Sequence, residues 1–361
     1  MDGRSFFRAL RAGGWDSKVL IVSATQAREA QRELGADGYV AKPFDIDVLR
    51  QLTPEIARSA MHLYQPREAI RSINQAAIYY YLKEPAEKVT IEILDANGQM
   101  IRTFTGTRAE EQKAEARRPD APASEEFEFG QGPPRTRLTN AGLTRFTWDL
   151  RYPGATVFPG MILWSANAGQ GPVAVPGNYQ VRLTVGNHVE TKPLAVKIDP
   201  RLIGVTEKDL QDQFDLAMKI RDKTSEANQA VILIREIKKQ SKDRVEKAKD
   251  PQIAAAAADA LTRKLGEVEE EIYQVRNQSN QDPLNFPIKL NNRIAALRRS
   301  VETGDARPTN ATYVVFRELS AELDIQLARL KGLVSGDLAA LNKLLAAKNL
   351  QPIRAEANKG P

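Results

Sequence analysis

The sequence predicts a multidomain α+β protein: a partial α/β piece, then an antiparallel β-sandwich, then a C-terminal four-helix bundle. Three patterns predict it. Residues 5–46 alternate helical and strand-like segments, as a parallel sheet requires. Residues 76–200 carry several short strands separated by turn residues. Residues 206–347 carry apolar stripes at helical spacing. At 361 residues, with 42% hydrophobic and 27% charged residues, the chain is long enough for two or three cores.

In the first piece, residues 1–50, Phe6, Phe7 and Leu10 share a helical face, and Gly13-Gly14 ends that helix. Lys18 to Ser23 is a continuous apolar run, expected of a strand covered on both faces. A second helix runs from Thr25 to Leu34, a second strand from Gly38 to Lys42, and Asp45 is placed to cap a third helix. Residues 51–75 read as a linker.

In the β region, Ile78, Tyr79, Tyr80, Tyr81 and Leu82 form an aromatic strand. Val89 to Leu94 alternates, turns at Asp95-Ala96-Asn97-Gly98 and continues into Met100 to Phe104, a hairpin signature. Residues 105–135 are rich in Glu, Arg, Ala and Pro and read as a mobile loop. Alternation from Gly142 to Leu150 sends Thr144, Phe146, Trp148 and Leu150 to one face. Pro176-Gly177-Asn178 turns into a strand ending at Val185, and Val189 to Ile198 completes the set.

The helical region spans 201–347, with a disordered tail expected over 348–361. Thr206 is placed to cap a first helix whose first turn is acidic. Its stripe is Leu210, Phe214, Ala217, Thr224, Ala227, Val231 and Ile234. Asp250-Pro251 restarts a helix with the seam Leu261, Leu265, Val268, Ile272 and Val275. A third stripe is Leu290, Ile294, Leu297 and Val301. The fourth runs from Phe316 through Leu330 to Leu341 and Leu344.

Chemistry is sparse. The absence of cysteine removes disulfides and thiolate ligands. His62 and His188, the only histidines, exclude a histidine-rich metal centre. Glu269-Glu270-Glu271 reads as a solvated acidic face, because a di-metal carboxylate bundle needs histidines that do not occur after His188. The net charge of +6 is spread along the chain, unlike the concentrated face of a nucleic-acid binder. No apolar run reaches the roughly 20 residues of a membrane helix, and no secretory leader is read at Met1-Asp2-Gly3-Arg4. Trp148 and Trp164 are the candidate ligand platforms, of the kind that sugars stack on. A core role is favoured for Trp148, with Asp149 capping a turn, and loop packing is favoured for Trp164. No pair of carboxylates is identified for glycoside hydrolysis.

Two resemblances add to this reading. Met1-Asp2-Gly3, Val19 to Ala24, Gly35 to Tyr39 and Lys42-Pro43-Phe44 resemble, in order, the later strands of response-regulator receiver domains. The resemblance implies phosphorelay signalling, with Ser23 contacting the phosphoryl group and Lys42 pairing with its charge. It also implies that the acceptor Asp and the acidic metal pair lie upstream of Met1, so the piece is expected to be a truncated receiver. Ile93 to Phe104, Thr144 to Gly154 and Val175 to Val185 resemble the Ig-like domain also found in flagellar hook-capping proteins. More broadly, residues from about 47 onward resemble the C-terminal region of bacterial exported proteins with sortilin-like or neuraminidase-type propeller repeats, often labelled glycosyl hydrolases. That resemblance rests on Leu49 to Pro54, His62 to Pro66, Arg151 to Gly154 and Phe158 to Gly160.

The combined expectation is a non-catalytic structural or interaction module, with no catalytic residue, cofactor or metal, and with a protein partner. A pseudo-receiver signalling protein is the alternative, and a glycan-binding or hydrolase-associated module is the third reading. Nucleic-acid and membrane partners are not expected. Without a leader the compartment is read as cytoplasmic, although the larger resemblance is to exported proteins.

Overall fold

The computed structural model describes residues 20–23, 38–41, 59–116, 137–247 and 252–355. The chain is α+β, with antiparallel-rich sheets and several helices, and it divides into two compact units. The first comprises residues 1–150 and 176–199, and the second residues 151–175 and 200–361.

In the first unit, β1 (Leu20–Ser23) and β2 (Gly38–Ala41) pair in parallel, with Leu20 opposite Gly38 and Ser23 opposite Ala41. The helices expected around them lie outside the described residues. The region expected to be a linker contributes β3 (Met61–Leu63) and β4 (Ala69–Ile70) to the sheets, which corrects the 51–75 assignment for residues 61–70. β3, β5 (Ala76–Leu82) and β8 (Gly142–Trp148) form a three-stranded antiparallel sheet. The second sheet has the order β4-β12-β11-β6-β7. It is built from β6 (Lys88–Leu94), β7 (Met100–Thr107), β11 (Gly177–Val185) and β12 (His188–Lys197), with β4 parallel to β12 at one edge.

The period-two pattern explains the core of this unit. Val89, Ile91 and Ile93 of β6, Val181 and Leu183 of β11, and Phe146 and Trp148 of β8 all turn inward. Trp148 is 0% exposed, its ring 5.6 Å from that of Tyr179. Phe146 meets Phe104 at 4.7 Å. The Tyr80 hydroxyl would be unsatisfied in this core, and it donates to the Leu138 carbonyl at 2.7 Å. The β6–β7 turn forms as expected: Asp95 Oδ1 accepts from the N–H groups of Asn97 and Gln99, and Gly98 takes φ +78°.

The 105–135 assignment also changes. β7 continues to Thr107 and leads into helix α1 (Arg108–Ala116). Glu111 of α1 accepts from Leu138 N–H at 2.8 Å and from the Thr139 hydroxyl at 2.5 Å, which ties the helix back to the sheet. Residues 117–135 lie outside the described residues.

Among the described residues, the second unit holds four long helices and a short terminal one around an apolar core. α2 (Glu207–Glu246) is 40 residues long and starts at a capping box: Thr206 Oγ1 accepts from Asp209 N–H, and Asp209 accepts from Thr206 N–H. α3 (Gln252–Ile272) buries Leu261, Leu265, Val268 and Ile272, whereas Val275 lies beyond it and is exposed. Pro251 lies outside the described residues. α4 (Leu290–Val301) buries Leu290, Ile294 and Val301. α5 (Asn310–Leu333) buries Leu319, Leu323 and Leu330.

A π-helical turn, Val334–Leu338, then joins α5 to α6 (Ala339–Ala347). The wider turn shifts the register. Leu338, Leu341 and Leu345 are buried, while Leu344, expected in the core stripe, is 37% exposed. The expected tail is also ordered in part: Ile353 is 3% exposed, and Asn342 both donates to its carbonyl and accepts from its N–H. Residues 356–361 lie outside the described residues. No helix among the described residues is long and apolar enough to cross a membrane.

Residues 151–175, expected within the β-sandwich, instead belong to the helical unit. They form a small antiparallel hairpin of β9 (Arg151–Pro153) and β10 (Gln170–Val173). The hairpin's own side chains supply the reason: Phe158 is part of the helical core, and Tyr152 meets Phe214 of α2 at 4.8 Å.

Candidate functional site

A polar concavity in the helical unit lies where this hairpin meets α4. The hairpin begins from two close backbone approaches. A Cβ on Gly171 would lie 1.9 Å from the Tyr152 carbonyl oxygen, and one on Gly154 would lie 2.2 Å from that of Gly169, so neither position admits a side chain. The neck is therefore narrow, and the intervening loop projects over α4.

Four side chains of α4 and its C-terminal cap grip that loop. Asn292 accepts from Trp164 N–H at 2.6 Å and donates to the Trp164 carbonyl at 2.9 Å. Arg298 donates to the carbonyls of Asn167 at 3.1 Å and Gly171 at 3.3 Å. Glu302, one helical turn on, accepts from Arg298 at 2.5 Å, from Arg151 at 3.3 Å and from Val173 N–H at 2.8 Å. Arg299 donates to Ser165 Oγ at 2.7 Å. Ser165 holds φ +52°, in the left-handed region that an L-residue occupies only when its surroundings impose it.

Together these residues line a cleft of about 620 Å³ with walls from Arg151, Ser165, Asn167, Gln170, Arg299 and Thr303. Its lining carries three guanidiniums against one carboxylate, a net of two positive charges. Burial pushes the Arg298 guanidinium below its usual value and Arg151 adds to this, while Glu302 opposes it. The group still remains charged at neutral pH. The arrangement offers N–H and hydroxyl donors to an anion. It brings together no general acid and base, since Glu302 is engaged by two arginines and a backbone amide.

Ser23 ends β1, and its side chain, like Lys42, lies outside the described residues. Trp148 is withdrawn as a platform: its indole is enclosed by the β core and no ligand can reach its face. Trp164 is 40% exposed and directly precedes the cleft residue Ser165. Asp149 pairs with Arg102 at 3.1 Å.

The acidic run is corrected in part. Glu270 and Glu271 are exposed, but Glu269 is 5% exposed and accepts from both Arg235 and Lys238 at 2.7 Å. Arg235 also lies over the rings of Phe158 and Tyr273. Among the described residues, no group of three or more His, Asp or Glu side chains could hold a metal ion.

Sequence reasoning missed the Arg151–Arg298–Glu302 network. Its one local signal was the four-residue spacing of Arg298 and Glu302, which is common on solvated helices.

No protein-family model and no curated protein matches the chain. Solved structures give faint similarities. CopC from Methylosinus trichosporium OB3b is 10% identical at TM-score 0.20, covering 39% of this chain and 98% of that one. A Parabacteroides merdae β-glucuronidase is 10% identical at TM-score 0.17, covering 38% and 14%. The C-terminal domain of wzt is 10% identical at TM-score 0.17, covering 39% and 72%. Likenesses at this level carry no argument about fold or function.

Proposed function

We propose that the chain is a non-catalytic structural and interaction module. In this reading the first unit is an Ig-like sandwich with a receiver remnant at its N-terminal side, and the second is a four-helix bundle. Together they form the accessory region of a propeller-type exported protein, and the bundle presents a surface to a protein partner.

One observation carries the reading: the buried charged and amide groups around the hairpin and along α2 are engaged in scaffold contacts. Arg298, Glu302 and Asn292 hold the hairpin loop, Glu269 joins α3 to α2, and Gln213 donates to the carbonyls of Val301, Gly304 and Ala306. Catalytic sites leave such groups poised for substrate, whereas here they satisfy backbone groups and one another.

The test is turnover by the full chain. Chromogenic glycosides and Mg²⁺ with acetyl phosphate are expected to give no hydrolysis and no phosphoryl adduct. Either activity above background overturns the reading.

Exposure of the Trp164 ring beside a polar cleft favours a second reading, a glycan-binding module. A glycan array separates the two: Trp164-dependent binding supports the second, and silence removes it.

A further inference from the structure

We infer that the cleft between the 151–175 hairpin and α4 is a binding site for a small hydroxylated molecule bearing an oxyanion, either carboxylate or phosphate. The site goes beyond the proposed interaction role and does not depend on it.

The charge balance comes first. Glu302 is shared by Arg151 and Arg298, and Arg298 is further occupied by two loop carbonyls. Arg299 is outside that network. It is exposed at the cleft rim and spends one N–H on Ser165 Oγ. A planar guanidinium has five N–H donors, so a pair remains for an oxyanion in the bidentate geometry that favours arginine over lysine. The second positive charge of the lining deepens the attraction, and no further carboxylate lines the cleft to oppose it.

Rigidity is the second argument. The wall carrying Ser165, Asn167 and Gln170 is fixed by Asn292 at Trp164, by Arg298 at Asn167 and Gly171, and by Glu302 at Val173. A loop held in this way gives up little entropy when it captures a ligand. The left-handed Ser165 turns its hydroxyl toward Arg299, which places a hydroxyl beside the open guanidinium.

Volume supplies the third. About 620 Å³ lies within the range of small-molecule sites and well exceeds a bare anion. The remaining space is bordered by the side chains of Asn167, Gln170 and Thr303, which can meet hydroxyl groups, and by the methyl groups of Ala166 and Ala295, which can meet the carbon skeleton that bears them.

The experiment is isothermal titration of the full chain at constant ionic strength with inorganic phosphate, gluconate and neutral glucose. Saturable binding of phosphate, gluconate or both, with none for glucose, is the expected result, and the stronger arm assigns the oxyanion. Arg299→Gln is expected to weaken that binding by about tenfold, or 1.4 kcal/mol, with only the small change in melting temperature that losing one exposed hydrogen bond gives. Ser165→Gly, which suits the left-handed backbone, is expected to weaken binding while keeping the fold. The proposal is overturned if neither anion saturates, if glucose binds equally, or if Arg299→Gln keeps its affinity within about twofold.

Discussion

Glu302 of the α4 cap and Val173 of β10 are joined by a 2.8 Å hydrogen bond from backbone N–H to carboxylate, although 129 positions separate them in sequence. The same carboxylate pairs with two arginines, one on the hairpin and one on α4, so it is a central contact among those that seat the hairpin on the helix.

Replacing it is expected to be severe. Glu302→Gln removes the carboxylate that pairs with the buried Arg298 and with Arg151. A loss of about 3 kcal/mol is expected, read as a lower urea midpoint with unchanged slope. A shift below about 0.5 kcal/mol would mean that the network is not needed to hold the hairpin.

Within the acidic run of α3 the three positions are expected to behave unequally. Glu269→Gln is expected to lower stability by about 1–3 kcal/mol, because a buried carboxylate with two charged donors is lost. Glu270→Gln and Glu271→Gln are expected to stay within about 0.5 kcal/mol. Equal effects at all three positions would return Glu269 to the solvated face. Thermal melts of the three single variants make the comparison.

The π-helical turn makes a sharp pair. Leu345→Ala is expected to lose about 2–5 kcal/mol, as buried leucines do, and Leu344→Ala about 0.5 kcal/mol or less. The opposite order in denaturant unfolding would show an uninterrupted α-helix through residues 334–338.

A proton-linked effect is expected at His62. Burial lowers the imidazole below its ordinary value of 6.5, Glu190 opposes the shift and Lys192 adds to it. The folded chain therefore favours neutral His62, and the unfolded chain binds more protons on the acid side of 6.5. Its contribution to stability is full above that value and is lost as pH falls through the folded value. An NMR titration should place the His62 midpoint below 6.5, and His62→Phe should flatten the stability slope between about pH 7 and 5. A midpoint at or above 6.5 refutes this.

The local patterns were the legible part of the sequence. Alternation placed Phe146 and Trp148 inward, Asp95 to Gly98 marked a turn, and the stripe Leu261, Leu265, Val268 and Ile272 marked the buried face of α3. Three features were hidden for separate reasons. β3 and β4 are two or three residues long, too short to show alternation. The Val334–Leu338 turn consists of residues that an α-helix also accepts, so Leu344 and Leu345 exchanged roles without a local signal. The cleft depends on pairs such as Arg151 with Glu302 and Trp164 with Asn292, whose partners are more than a hundred residues apart. Arg298 follows Ile294 by four positions and so shares its inward face, a position that reads as polar surface until the loop above it is seen.

The excursion of residues 151–175 has a practical consequence for gene engineering. Its flanks belong to the β unit, so the polypeptide passes between units at 150/151, at 175/176 and again at 199/200. A stop codon after Asp199 would strand Tyr152 and Phe158 without the helices that cover them, and a start codon at Pro200 would leave those helices bare on the matching side. Separate expression of either half therefore requires excising the hairpin from one reading frame and splicing it into the other.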